Sequence, residues 1–101
     1  MRCLAPVLLE EGIRVNCTCP GAVKTPFMSA EGWSAFPDSI FTTLENIVGG
    51  VAQLMDDPNA SGIALEISKG NYYPRPQHEW SDETQKITCT AAGKFDPKTM
   101  L

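Results

Sequence analysis

The sequence predicts an α/β fold made of a helix end, one βαβ unit of a parallel sheet and an irregular C-terminal tail. Three observations lead there. Ile13, Val15, Cys17 and Cys19 alternate with Arg14, Asn16 and Thr18, and Ile63, Leu65 and Ile67 alternate with Ala64, Glu66 and Ser68, so each stretch has the two-residue period of a strand. Between them Leu44, Ile47, Val48, Val51, Leu54 and Met55 recur at helical spacing. Two strands joined through a helix pair in parallel with a right-handed crossover, and such pairs belong to larger sheets covered on both faces.

The elements follow in order. Residues 1–11 read as the end of a helix: Leu4, Val7, Leu8 and Glu11 fit its period, Pro6 fits only a first turn, and Gly12 terminates it. The Ile13–Cys19 strand stops at Pro20-Gly21. Residues 22–41 form a loop rich in large apolar side chains (Phe27, Met28, Trp33, Phe36, Phe41), with a short helix from about Ser29 to Phe36. Thr42 and Glu45, three residues apart, form a capping box that opens the next helix, whose apolar stripe must be buried. Gly49-Gly50 inside it costs about 1 kcal/mol per glycine against Ala, a penalty accepted where something packs closely on the backbone. Asp56-Asp57-Pro58-Asn59 ends that helix, and Lys69-Gly70-Asn71 closes the second strand. From Tyr72 the composition becomes polar and proline-rich, with a helix start near Asp82-Glu83 and little order beyond Cys89.

Composition bounds the function. With 101 residues, a net charge of −4 and 43% hydrophobic content, the chain is one ordinary globular domain at most. Scattered Lys and Arg make no basic stripe for phosphates, which argues against nucleic acid and acidic membranes as partners. Leu4–Leu9 and Ile47–Met55 fall far short of a bilayer span. Glu10-Glu11 stand where a signal peptide would be cleaved, so the expected location is the cytoplasm. Of the four cysteines only Cys17 and Cys19 are close, no metal-ligand spacing accompanies them, and they read as packing residues on one face of a strand.

The run Gly12-Ile13-Arg14-Val15-Asn16-Cys17-Thr18-Cys19-Pro20-Gly21-Ala22-Val23-Lys24-Thr25 resembles the Pro-Gly segment of the short-chain dehydrogenase/reductase family. The preceding Leu4–Leu9 resembles the end of the helix that follows the family's catalytic motif, and Ala60-Ser61-Gly62 resembles the approach to its last core strand. Ile67-Ser68-Lys69-Gly70 is similar to the 15-hydroxyprostaglandin dehydrogenase-like branch. The resemblance covers about residues 3–73 and implies a partial Rossmann-like fold, with residues 1–73 the C-terminal portion of the dehydrogenase domain and 74–101 an extension.

It further implies roles. Pro20 and Gly21 would turn the chain where open α/β sheets bind ligands, bringing backbone to the nicotinamide end of NAD or NADP. Val23 would present backbone groups to the carboxamide, and Thr25 a hydroxyl to the carboxamide or nearby phosphates. Taken alone, Pro-Gly is a tight turn and Thr25 a helix cap; the whole pattern favours the cofactor reading. Phe27, Met28, Trp33 and Phe36 would belong to the loop that closes over a hydrophobic alcohol or ketone, or else seal the core. The family's Gly-rich fingerprint and its Tyr-x-x-x-Lys pair occur nowhere in these 101 residues. No catalytic residue is assigned, because the Lys charge that lowers the Tyr pKa has no counterpart.

Two functions are in play. One is the C-terminal portion of an NAD(P)-dependent oxidoreductase, inactive by itself. The other is an interaction or oligomerisation module that self-associates or packs on a protein partner or a full-length relative through its apolar helix face and open strand edges.

Overall fold

A computed structural model describes residues 1–90. The fold is α/β. Along the chain stand α1 (Ala5–Glu10), β1 (Cys17–Pro20), α2 (Ala30–Ser34), a single 3-10 turn (Asp38–Ile40), α3 (Leu44–Asp56), β2 (Ala64–Ser68), β3 (Asn71–Arg75) and α4 (Glu83–Thr90). The three strands form one mixed sheet in the order β1-β2-β3. β1 runs parallel to β2, with Cys17 opposite Ala64 and Pro20 opposite Ile67; β3 returns antiparallel, with Ser68 opposite Asn71 and Ala64 opposite Arg75.

The first strand is shorter than the alternation predicts. Residues 13–16 lie alongside 60–63 but are held there mainly by side chains. Asn16 donates from Nδ2 to the Ala60 carbonyl (2.9 Å) and accepts from the Ile63 amide (3.0 Å), and the Gly62 amide reaches the Val15 carbonyl (2.7 Å). Gly62 sits at φ 73°, a backbone region that side chains with a Cβ rarely enter, and so turns the chain into β2. Arg14, read from sequence as the polar side of a strand, is half-buried under the end of α3. Its guanidinium donates to the carbonyls of Leu54 (3.0 Å), Met55 (3.0 Å), Asp57 (2.7 Å) and Ala60 (3.1 Å). It thereby satisfies acceptors that the helix end leaves orphaned.

The third strand escapes the sequence reading. Lys69-Gly70 is a complete two-residue hairpin turn rather than the end of the sheet, with Lys69 at φ 55°. Tyr72 and Tyr73 then suit a pleated strand, and Pro74 is tolerated because β3 is an edge. The strand crosses residue 73, where composition changes. Glu83–Thr90 is helical, close to the expected start near Asp82-Glu83. The irregular stretch expected beyond Cys89 lies, from residue 91 onward, outside the described residues.

Helix α3 is capped by Thr43 and Asn46, not by Thr42 and Glu45. The Thr43 hydroxyl accepts from the Asn46 amide (3.1 Å) and the Asn46 side chain accepts from the Thr43 amide (3.2 Å). Thr42, one residue earlier, is thus free to be buried, at 3% exposure. The helix packs on β1 and β2. Leu65 and Ile67 are the fully buried side chains of that contact. Gly50 allows the approach: a Cβ there would stand 2.7 Å from Ile67 Cδ1 and 3.1 Å from Tyr72 Cε1. At Gly49 a Cβ would meet the Tyr72 hydroxyl, which donates to the Asn46 carbonyl (2.7 Å). The paired glycines mark a close approach, as the sequence suggests.

The apolar stripe of α3, however, divides in two. Ile47, Gly50 and Leu54 lie toward the sheet, whereas Leu44, Val48, Val51 and Met55 are 67%, 59%, 40% and 70% exposed. A helix curves through more apolar surface than one small sheet can cover, and residues at positions i, i+4, i+7 and i+11 fall on the flank. Cys19, expected to be a buried packing residue, is exposed, and Cys17 is half-buried. All four cysteines are free thiols. No helix among the described residues is long and apolar enough to cross a membrane.

Candidate functional site

The site implied by residues 20–41 lies at the carboxyl end of the parallel pair. The Gly21 amide donates to the Ile67 carbonyl (2.8 Å), extending the β1–β2 ladder by one bond as the chain leaves Pro20. The Ala22 carbonyl accepts from the Thr42 amide (2.8 Å), so the loop begins and ends at the same place. Thr42 fastens the closure: its buried hydroxyl accepts from the Lys69 amide (2.9 Å), and a Cβ on Gly21 would lie 3.3 Å from that oxygen. One threonine thus holds together the exit from β1, the start of α3 and the β2–β3 turn. Sequence reasoning assigned Thr42 to a helix cap and missed this role; the only signal for it was that a second threonine follows to take the cap.

Within the loop, Thr25 is an organising point. Its carbonyl accepts from Trp33 Nε1 (2.9 Å), and its hydroxyl accepts from the Phe27 amide (3.3 Å). Helix α2 is opened by Ser29, whose hydroxyl accepts from the Gly32 amide (3.1 Å). Gly32 faces Met28 so closely that a Cβ would lie 2.5 Å from Met28 Cγ. Trp33 then meets Phe36 at a tilt, ring centroids 6.1 Å apart, and Phe41 edge-on at 5.7 Å. Lys24 Nζ lies 4.5 Å over the Phe41 ring and 3.4 Å from Asp38 Oδ1. Both of these charged groups are exposed, so the pair adds little stability.

These residues enclose a hollow of about 470 Å³ lined by Lys24, Thr25, Pro26, Met28, Trp33 and Asp38, among others. Thr25, Met28 and Trp33 are therefore brought together. Pro20, Gly21 and Val23 stand upstream and do not line this hollow. Phe27 points away, 89% exposed, and Phe36 is 42% exposed at its edge. Lys24 and Asp38, which line the hollow, were not singled out in the sequence. The hollow presents a hydroxyl, an ammonium, a carboxylate and an aromatic wall. Its groups can bind and orient a ligand.

The Cys19 thiol lies on the sheet, outside the hollow. Atoms that displace water, then the Cys17 thiol beside it and the Glu66 carboxylate, hold Cys19 above its ordinary value, while Arg2 pulls it down. The shift disfavours the thiolate, the nucleophilic form.

Two curated relatives align with most of the chain. No family model matches the chain, and no solved structure matches it. The chain is 34% identical over 109 aligned residues to the short-chain dehydrogenase/reductase prx7 of Penicillium rubens, an alignment that takes in 90% of the chain and 39% of that relative. It is 31% identical over 81 residues to prx6 of the same fungus, across 76% of the chain and 27% of the relative. The chain spans well under half the length of these curated relatives. With a parallel strand pair, a Pro-Gly exit and an aromatic loop at its carboxyl end, the chain resembles part of a short-chain dehydrogenase/reductase over most of its length.

Proposed function

We propose that the chain is the C-terminal portion of an NAD(P)-dependent oxidoreductase acting on a hydrophobic alcohol or ketone, located in the cytoplasm. Residues 1–73 would complete its Rossmann-like domain, with 74–101 an extension. The observation that carries this reading is the closure by Thr42 of the turn after β1. It ties Gly21 to the carboxyl end of the parallel pair, the end at which open α/β sheets receive ligands, with Val23 next along the chain and Thr25 lining the aromatic hollow. In this reading the backbone of Val23 and the hydroxyl of Thr25 hold the cofactor carboxamide. Met28 and Trp33 face the substrate from the hollow, while Phe27 and Phe36 belong to the same loop outside it.

The chemistry sets a limit on what these residues do alone. Hydride transfer needs a proton donor or acceptor at the substrate oxygen, and a bound dinucleotide needs a cradle for its pyrophosphate. Neither the Tyr-x-x-x-Lys pair nor the Gly-rich turn lies within these 101 residues. The chain by itself therefore binds and orients but does not catalyse.

Titration of labelled chain with nicotinamide mononucleotide, which needs no pyrophosphate cradle, tests this reading. Backbone amide resonances of Val23 and Thr25 should shift saturably in the millimolar range, and Thr25→Ala should weaken the effect. Shifts confined to other regions, or NADH oxidation by the chain alone, would overturn it. A second reading, an interaction module that self-associates or docks on a protein, is favoured by one observation, the exposed Leu44, Val48, Val51 and Met55 flank of α3. Sedimentation separates the two: a module gives a stoichiometric complex or oligomer that survives loss of the nicotinamide response.

A further inference from the structure

At the other end of the sheet, where β2 begins, a second cavity of about 520 Å³ opens between α1, the Ser61-Gly62 turn and the segment leading into α4. Its walls are mostly apolar, formed by Pro6, Val7, Leu9 and Trp80 together with Cys89. The size and lining are those of a small-molecule site. The Ser61 hydroxyl lies behind this lining, shut off from the cavity, and has no hydrogen-bond partner among the described residues.

The polar end of this cavity is cationic. Gly62 stands against Ala5, where a Cβ on the glycine would be 3.4 Å from Ala5 Cβ, and Arg2, in the turn before α1, lines the same cavity. Arg2 and Gln77 also line an adjoining hollow with Arg75, Pro76 and His78. Arg75 is engaged by Glu66 (Nε to Oε2, 2.6 Å), but Arg2 has no carboxylate partner among the described residues. One of its N–H groups donates to the Arg75 carbonyl (2.5 Å), which leaves four. Glu10, the last residue of α1, also lines the apolar cavity and disfavours a negative group at that end.

We propose that this paired cavity binds an amphipathic carboxylate of medium chain length. Its head would pair with Arg2 beside Arg75 and His78, and its chain would lie along Pro6, Leu9 and Trp80. Recognition is by charge at one end and apolar contact at the other, independently of the nicotinamide reading and at the opposite end of the strands.

Decanoate and 1-decanol, equal in chain and different in charge, test it by calorimetric titration of the unaltered chain below micelle-forming concentrations. Decanoate should bind one site saturably, about tenfold or more tighter than 1-decanol, as a charge-assisted contact requires. Arg2→Gln should abolish that preference and leave 1-decanol binding unchanged. In a Trp33→Phe chain, where Trp80 is the sole tryptophan, decanoate should change the indole emission. Equal affinity for acid and alcohol, a preference that survives Arg2→Gln, a silent Trp80, or no saturable decanoate binding would each overturn the proposal.

Discussion

Gly50→Ala measures how tightly α3 sits on the sheet. The new methyl would arrive 2.7 Å from Ile67 Cδ1 and 3.1 Å from Tyr72 Cε1. Ile67 has 0% exposure and cannot turn its terminal methyl into solvent, so the helix must lift or the isoleucine must leave its rotamer. Overpacking of this kind costs about 1–3 kcal/mol. Replacing a mid-helix glycine by alanine returns about 1 kcal/mol of helix propensity. The balance is a net loss of about 1 kcal/mol, opposite in sign to the gain that propensity alone predicts. Ile67→Val removes the offending Cδ1, and although it costs about 0.5–1.5 kcal/mol itself, Gly50→Ala made on top of it should be neutral or stabilising. Urea unfolding followed by far-ultraviolet circular dichroism, in a four-member double-mutant cycle, should give a coupling of about 1 kcal/mol or more. Equal effects of Gly50→Ala in the two backgrounds would refute the close approach.

Three further outcomes are expected. Thr42→Val keeps the shape but removes the acceptor for the Lys69 amide, which should cost about 1–3 kcal/mol and broaden the amide resonances of Gly21 and Ala22; a neutral substitution would deny Thr42 its fastening role. The Cys19 thiol is held above its ordinary value, so its alkylation by iodoacetamide, read by peptide mass spectrometry, should rise with pH later than for a simple thiol of pKa about 8.5, despite its exposure. Val48→Lys with Met55→Lys places charge on the exposed flank of α3, at sites 59% and 70% accessible; it should leave helix content unchanged and reduce self-association in sedimentation, since each apolar Å² covered on association contributes about 25 cal/mol.

Periodicity made the second strand and the central helix legible, because one face of each is buried and the pattern of burial is written in the pattern of side chains. It misjudged the first strand, since Ile13–Asn16 alternate correctly yet are held by Asn16 and Arg14 rather than by a ladder. Alternation reports which face is apolar, and says nothing about whether a neighbour stands close enough to pair. The third strand was lost to Lys69-Gly70, a turn that reads equally well as an ending, and to Pro74, whose missing N–H is harmless only at an edge that the sequence alone does not reveal.

The site was legible to a different depth. A fourteen-residue pattern located the turn after β1 and the aromatic loop, but the residue that locks them, Thr42, acts across 27 positions on the Lys69 amide, beyond the reach of any local motif. The same distinction explains the open surfaces. Leu44, Val48, Val51 and Met55 repeat with helical spacing as clearly as Ile47 and Leu54 do, yet only the latter meet the sheet. A stripe wider than the surface beneath it is a record of more than one neighbour. Here the sheet covers one flank and leaves the other, together with the outer edge of β1, open among the described residues.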